Sequence, residues 1–414
     1  MAQSKSCLFV PGTMWIAVVV ATAQIALMTS PMQAQTFSVL HSFTGGADGA
    51  YPIAGVTMAG SETFYGTTYE GGNPDAGVVY RLARVGSEWI VTPIYSFPGG
   101  YYGQYPQARV TVGPNGAVFG TTSYGGYYGH GTVFSLKPPP AACSAVVCGW
   151  TNTVIYRFLG GNDGGAPQYG DLVFDQAGNV YGTTSGLFAP STVYELTPQN
   201  GGWTENVLYE FQSQNSGLEP YSGVIFDRSG NLYGTTYSGG ANQYGTVFRL
   251  TPSGSGWTET VLYSFQGSSD GAYPTGGLVF DQSGNLYGTT TGDGYTGNPG
   301  SIFELSPTQG GWTFTLIHEF VGPAYAGPVA GLTMDGAGNF CGAALGGAYG
   351  YGEVFKLTSD QHGGWTYTNL YDFFGAEDGS MPYGRVLVDT SGNLFGTAQD
   401  GGTHGAGVIW EITQ

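Results

Sequence analysis

Charge is scarce in this chain. Only 9% of its 414 residues are Asp, Glu, Lys or Arg, and 10 basic side chains face 28 acidic ones, for a net charge of −18. A surface so poor in Lys and Arg is unsuited to phosphate backbones and anionic membranes, which demand clustered positive charge, so nucleic acid is not an expected partner. Histidine and cysteine are scarce too, at five and four residues. No pair of histidines has HxH or HExxH spacing, no nucleophile elbow is present and no GxGxxG opens a helix. Neither a metal nor a cofactor is expected.

Long apolar runs are missing as well, with one exception. Residues 14–28 form an apolar stretch that follows Lys5 and precedes "TSPMQA". That order predicts a secretory signal peptide over residues 1–34, cleaved after Ala34. A membrane anchor is the alternative reading, weakened by Thr22, Gln24 and a length below that of a usual span. Cys7 stands before the apolar core rather than at its end, so no lipoprotein cleavage box is formed. Lys5 is the one charged residue of the leader; the remainder therefore has nine basic and 28 acidic residues, a net charge of −19. The expectation is a secreted protein, extracellular or at the cell surface, with no membrane insertion after signal cleavage. In that oxidising setting Cys143 and Cys148, either side of "SAVV", are expected to form a local disulfide.

What is abundant is glycine, 74 residues, together with 15% aromatics. The glycine of a "YGTT"-like element recurs at Gly66, Gly120, Gly182, Gly234, Gly288, Gly342 and Gly396, at intervals of 54, 62, 52, 54, 54 and 54. The long interval holds the insertion "PPPAACSAVVCG". Each copy contains four short runs rich in Val, Leu, Ile, Phe, Tyr and Thr, bounded by Gly, Asn, Asp and Pro, and helical periodicity is absent after residue 35. Four strands per unit at this period predict an all-β, seven-bladed β-propeller of four-stranded blades over residues 35–414. The first strand-like run, "TFSVLHSF", matches the last strand of a copy, "TETVLYSF", and the chain finishes on a third strand. The N-terminal strand is therefore expected to complete the last blade and close the ring. Cys341 replaces the repeat tyrosine and is expected to be a buried thiol.

Repeats of the form "SGNLYGTTYSGG…GTVFRLTP" resemble the GloVer tandem-repeat family of secreted bacterial proteins over residues 36–414. The resemblance implies an extracellular repeat array. It carries no catalytic residue with it.

Repetition supplies an internal control, because positions shared by the copies build the blade and departures from them mark candidate sites. The residue before the innermost strand is Gly55, Gly223, Gly277 and Gly331 in four copies but Arg109, Asp171 and Arg385 in the others. Glycine suits a crowded ring around a narrow channel, so three charges there need each other or a ligand, with Arg offering a fork for carboxylate. The non-recurring loop tyrosines Tyr101, Tyr102, Tyr127 and Tyr128 are candidates for stacking on glycan or protein. Asp48, Asp163, Asp270 and Asp378 are read as caps of their own turns, and Trp203, Trp257, Trp312 and Trp365 as blade-packing residues. His130 and His404 are placed in loops on the face of the channel mouth. The resulting expectation is a binding or scaffold protein that recognises polysaccharide or a surface protein through this face. The alternatives are a lyase or hydrolase for acidic glycans, with His or Tyr as base, and a purely structural envelope protein.

Overall fold

The computed structural model describes residues 35–414 except 141–148, 187–188, 213, 255, 268–269, 294–297, 321–325 and 361–362. The expected signal peptide, Cys143, Cys148 and their expected disulfide thus lie outside the described residues. Those described form seven four-stranded antiparallel sheets and no α-helix. In blade five the strands are Val279–Phe280, Leu286–Thr290, Gly300–Thr308 and Gly311–Phe320, running from the channel outward. The chain is an all-β, seven-bladed propeller.

Each step of the repeat has a local cause. The turn from inner to second strand is held by one aspartate: Asp227 Oδ1 accepts from the Ser229 and Asn231 amides at 2.8 and 2.9 Å, while Oδ2 accepts from the Asn231 amide nitrogen at 2.6 Å. Asp281, Asp335 and Asp389 repeat this arrangement. The second strand "LYGTT" is buried throughout, as Leu232–Thr236 illustrates. Its glycine faces an aromatic ring of the third strand across the ladder, Gly234 opposite Phe248. Between third and outer strands the register slips by one residue at that same aromatic, at Val247/Phe248 and at the matching place in the other blades. Such bulges sharpen the twist that a blade requires.

The core lies between blades, not at the centre of the molecule, in seven apolar clusters. The recurring tryptophans are part of it. Trp203 lies edge-on to Phe119 of the preceding blade at 6.2 Å, and Trp365 lies 5.2 Å from Phe340 of its own blade and 5.7 Å from Tyr287 of the one before. The threonines of "YGTT" do more than favour a strand. The first reaches the next blade, as Thr67 Oγ1 does to the Ala108 carbonyl at 3.1 Å and Thr397 Oγ1 to Ala54 at 3.0 Å; the second pairs within its own blade, as Thr236 with Thr246 at 2.8 Å.

On the mouth face a residue before proline joins neighbouring blades. Tyr105 N–H donates to the Ala76 carbonyl of blade one at 2.9 Å, and the Tyr105 carbonyl accepts from Ser123 of its own blade. To do so these residues adopt a left-handed backbone, with φ of 58° at Tyr51, 61° at Tyr105 and 60° at Tyr273, whose amides bond to Ala406, Ala76 and Tyr244. The proline then packs so tightly on the preceding blade that a Cβ on Gly245 would come within 2.6 Å of Pro274 Cδ. These segments are joints of the ring first and binding loops second.

Closure is as expected. Thr36–Ser42 pairs antiparallel with Val408–Thr413 and completes blade seven.

Candidate functional site at the channel mouth

All seven positions preceding the innermost strands line one cavity of about 340 Å³. The glycine ring is crowded at three of its four places. A Cβ on Gly55, Gly223 or Gly331 would strike the backbone carbonyl of Arg385, Asp171 or Gly277 in the preceding blade. Gly277 has nothing within 4 Å of its would-be Cβ, so crowding does not account for it. Charge is confined to positions 109 and 171 in adjacent blades and to 385, and each crowded glycine lies against the backbone of the preceding ring position.

Arg109 and Asp171 pair with each other: Arg109 Nε donates to Asp171 Oδ2 at 3.0 Å, and Nη2 donates to the same oxygen. Arg385 does not join them. Its Nε donates to Thr333 Oγ1 at 3.1 Å and its Nη2 to the Leu332 carbonyl, both in the preceding blade. Burial, with the Arg109 charge adding to it, brings Arg385 down to about 10, which still leaves it protonated at neutral pH. Two of the three charges thus pair with each other, and the third is held by a hydroxyl and a carbonyl.

Above them stand tyrosines that the sequence reading passed over. Tyr169, Tyr221, Tyr237 and Tyr383 line the cavity. Tyr169 and Tyr221 meet edge to face at 5.9 Å, Tyr221 and Tyr237 lie 5.1 Å apart, and Tyr237 stacks on Tyr273 at 4.9 Å. Burial, reinforced by neighbouring phenols and carboxylates, pushes Tyr221 up to about 12 and raises Tyr169, Tyr237 and Tyr383. Tyr169 had a signal in the sequence. Proline precedes the ring position by three residues in six blades but by four at Pro167 and Asp171. The additional residue is accommodated by a tight turn in which Gly170 N–H donates to the Gln168 carbonyl, and Tyr169 takes a left-handed backbone with φ 53° and 42% exposure. A tyrosine held in that conformation costs on the order of 1 kcal/mol, a strain that recurs at ligand sites.

The four loop tyrosines form a separate group on the same face. Tyr101 and Tyr102 lie on a short 3₁₀ turn, Gly100–Tyr102, and Tyr101 Oη is 3.0 Å from Tyr127 Oη. Arg157, from the end of blade two's outer strand, lies 3.7 Å above the Tyr101 ring and donates to the Tyr101 carbonyl at 3.1 Å. All four rings are exposed, Tyr128 to 70%. None of them lines the channel cavity.

The histidines do not converge on the arginines. His130 is packed against Gly165, whose would-be Cβ is 3.1 Å from its Cβ, and His404 is exposed, 2.9 Å from Thr403 Oγ1. His41 and His318 stand where other blades have an outer-strand tyrosine. His41 Nε2 lies 3.0 Å from Asp48 Oδ2, as Tyr263 Oη lies 2.7 Å from Asp270. Asp48 and Asp270 also accept the amides of Thr44 and Gln266, and Asp163 and Asp378 accept those of Leu159 and Phe374, so all four cap turns as expected. Among the described residues no group of three His, Cys, Asp or Glu side chains is placed to hold a metal ion.

Fold and site together define a seven-bladed propeller with a tyrosine-walled, arginine-floored channel mouth. The chain belongs to the Gloeobacter/Verrucomicrobia repeat family, whose pattern matches residues 26–186 and 144–345. No curated protein matches it. Among solved structures it is similar to a Bacteroides uniformis protein provisionally named a 6-phosphogluconolactonase, with TM-score 0.51 and 15% identity over 77% of this chain and 83% of that one. It is similar to the periplasmic gluconolactonase PpgL of Pseudomonas aeruginosa, with TM-score 0.51 and 15% identity over 87% and 94%. A Bacteroides fragilis protein, also provisionally a 6-phosphogluconolactonase, gives TM-score 0.50 and 14% identity over 89% of each chain. At these identities the likeness is one of fold alone.

Proposed function

We propose that the protein is a secreted binding protein that holds carbohydrate at the mouth of its propeller channel. The observation that carries this reading is the run of tyrosines over an open, polar-floored cavity. A phenol ring offers an apolar face to the C–H groups of a pyranose and a hydroxyl to its oxygens, at little cost in side-chain entropy. The secreted setting rests on the leader-like N-terminus.

Binding is favoured over lyase or hydrolase chemistry by the geometry. A general base must come within hydrogen-bonding reach of the reacting proton and titrate near the working pH. Neither His130 nor His404 lines the cavity, and the tyrosines that do are shifted upward, away from the range in which a phenol serves as base.

The test is glycan-array binding by the purified protein, with Tyr169→Ala and Tyr221→Ala as variants. Binding lost in both, with melting temperatures near that of the parent, supports the mouth. Binding retained in both removes the mouth from consideration and directs attention to Tyr101, Tyr102, Tyr127 and Tyr128.

A further inference from the structure

The channel charges are not balanced. Arg109 is neutralised by Asp171, but among the described residues no carboxylate forms an ion pair with Arg385. Its protein partners are a hydroxyl and a carbonyl, neither charged. A guanidinium has five N–H donors, of which Nε and one hydrogen of Nη2 are taken. The edge left over, Nη1 and the remaining Nη2 hydrogen, can donate to both oxygens of a carboxylate. In a chain of net charge −18, the floor of this one cavity carries a surplus of one positive charge.

We infer that Arg385 anchors the carboxylate of a sugar acid whose ring lies beneath the channel-mouth tyrosines. The inference rests on the reading of the mouth as a carbohydrate site and specifies its ligand. A single surplus charge beside the Asp171 carboxylate matches a monoanion better than a phosphate dianion, whose second charge would face Asp171 uncompensated. Gln107 and Gln168 line the same cavity and offer side-chain amides to ring hydroxyls, while the Ser222 and Thr275 hydroxyls, also in the lining, already bond to Thr235 and to Thr291 and the Val329 carbonyl. The arginine also departs from the glycine found at this position in four blades, so the fold does not require it.

Titration calorimetry of the purified protein with D-glucuronate, D-glucose and inorganic phosphate tests the assignment. Glucuronate is expected to bind at least ~10-fold more tightly than glucose, a difference of about 1.4 kcal/mol. Arg385→Gly, which installs the residue of the other blades, is expected to abolish that preference while the melting temperature stays close to the parent's; Arg385→Lys is expected to retain part of it. A uronic-acid trisaccharide that binds more tightly than the monomer assigns the ligand to the end of an acidic polysaccharide, and equal binding assigns it to the free acid. Equal affinity for glucose and glucuronate, or a glucuronate affinity unchanged in Arg385→Gly, overturns the inference and leaves the carbohydrate reading standing. Phosphate competing as well as glucuronate identifies a general anion hole and overturns it also. No binding of either sugar by the parent protein removes both.

Discussion

The ring of Phe248 lies across Gly234, so close that a Cβ on the glycine would come within 2.6 Å of Cζ. The same relationship holds between Gly120 and Phe134 at 2.6 Å and between Gly342 and Phe355 at 2.5 Å. The third-strand aromatic covers the backbone that glycine leaves bare, and the bulge beside it sets the angle of the ring. Gly234→Ala is therefore an overpacking change, expected to destabilise by about 1–3 kcal/mol. Combined with Phe248→Leu, the alanine should cost much less than it does alone. Urea denaturation of the two single variants and the double variant measures this coupling, and strictly additive losses would contradict it.

Two blades place tyrosine in that covering position, and there the hydroxyl is a liability. Tyr80 and Tyr194 are fully buried, and neither Oη has a hydrogen-bond partner. Burial alone raises Tyr80; at Tyr194 the nearby Glu205 charge adds to it. Because four other blades use phenylalanine here, Tyr194→Phe is expected to stabilise by about 1 kcal/mol, the desolvation cost of an unpaired hydroxyl. A loss of stability on thermal denaturation would mean that the hydroxyl has a partner after all.

The glycine spacing carried most of the fold, because a covering aromatic, a tight second strand and a turn aspartate recur with it in the sequence. What the spacing did not convey is contact between copies. The Gly234 backbone meets a ring fourteen residues along in the same blade, and the "YP" segments join neighbouring blades. The residues that break the repeat, Arg109, Asp171 and Arg385, line one cavity, and they were legible as a candidate site. Which of the three pair is a matter of side-chain reach around a ring, and no periodicity encodes that. Tyr169 was marked only by one additional residue after Pro167, a signal small beside the "PPPAACSAVVCG" loop, which accounts for the other seven of the eight residues by which this interval exceeds 54.

The ring of channel glycines yields a directional prediction. Gly331→Ala would drive a methyl group into the Gly277 carbonyl and is expected to destabilise by about 1–3 kcal/mol. Gly277→Ala meets open space and should change stability by less than about 0.5 kcal/mol, because the new methyl group strikes no neighbour. Equal losses in the two variants, read by chemical denaturation, would show that the difference between the crowded and the open glycine is not real.

Mild acid is expected to stabilise the protein. Glu205 and Glu259 occupy the same place in the outer strands of blades three and four, and burial pushes both up to about 7. A carboxyl raised above its unfolded value of 4.5 favours the folded state when protonated, so stability should rise as pH falls from above 7 towards 4.5. The turn aspartates act in the opposite sense and lower down. Burial of Asp48, Asp227 and Asp335 is outweighed by the hydrogen bonds they accept, which hold them below 3.8, and the stability they confer is lost only as pH falls through those lowered values. Melting temperatures from pH 8 to 5 should climb in the parent and flatten in a Glu205→Gln, Glu259→Gln double variant. An equally steep climb in the double variant would assign the effect elsewhere.

The strand that closes the ring is expected to be the most consequential short deletion in the chain. Phe37 stacks on Tyr371 of blade six at 3.8 Å with the rings 3° from parallel, while Thr36–Ser42 saturates the edge of Val408–Thr413. Without residues 35–42, the apolar run "VIWEIT" becomes an open edge strand and a template for pairing between molecules. The deletion should lower the melting temperature and bring on concentration-dependent aggregation. A synthetic peptide of residues 35–43, added in excess, should restore both by taking the vacant edge. Phe37→Ala removes the stack but leaves the backbone pairing, so it should lower stability while keeping the protein monomeric on sizing chromatography. If the deletion and Phe37→Ala behave alike, the closure depends on the aromatic contact and not on the strand edge.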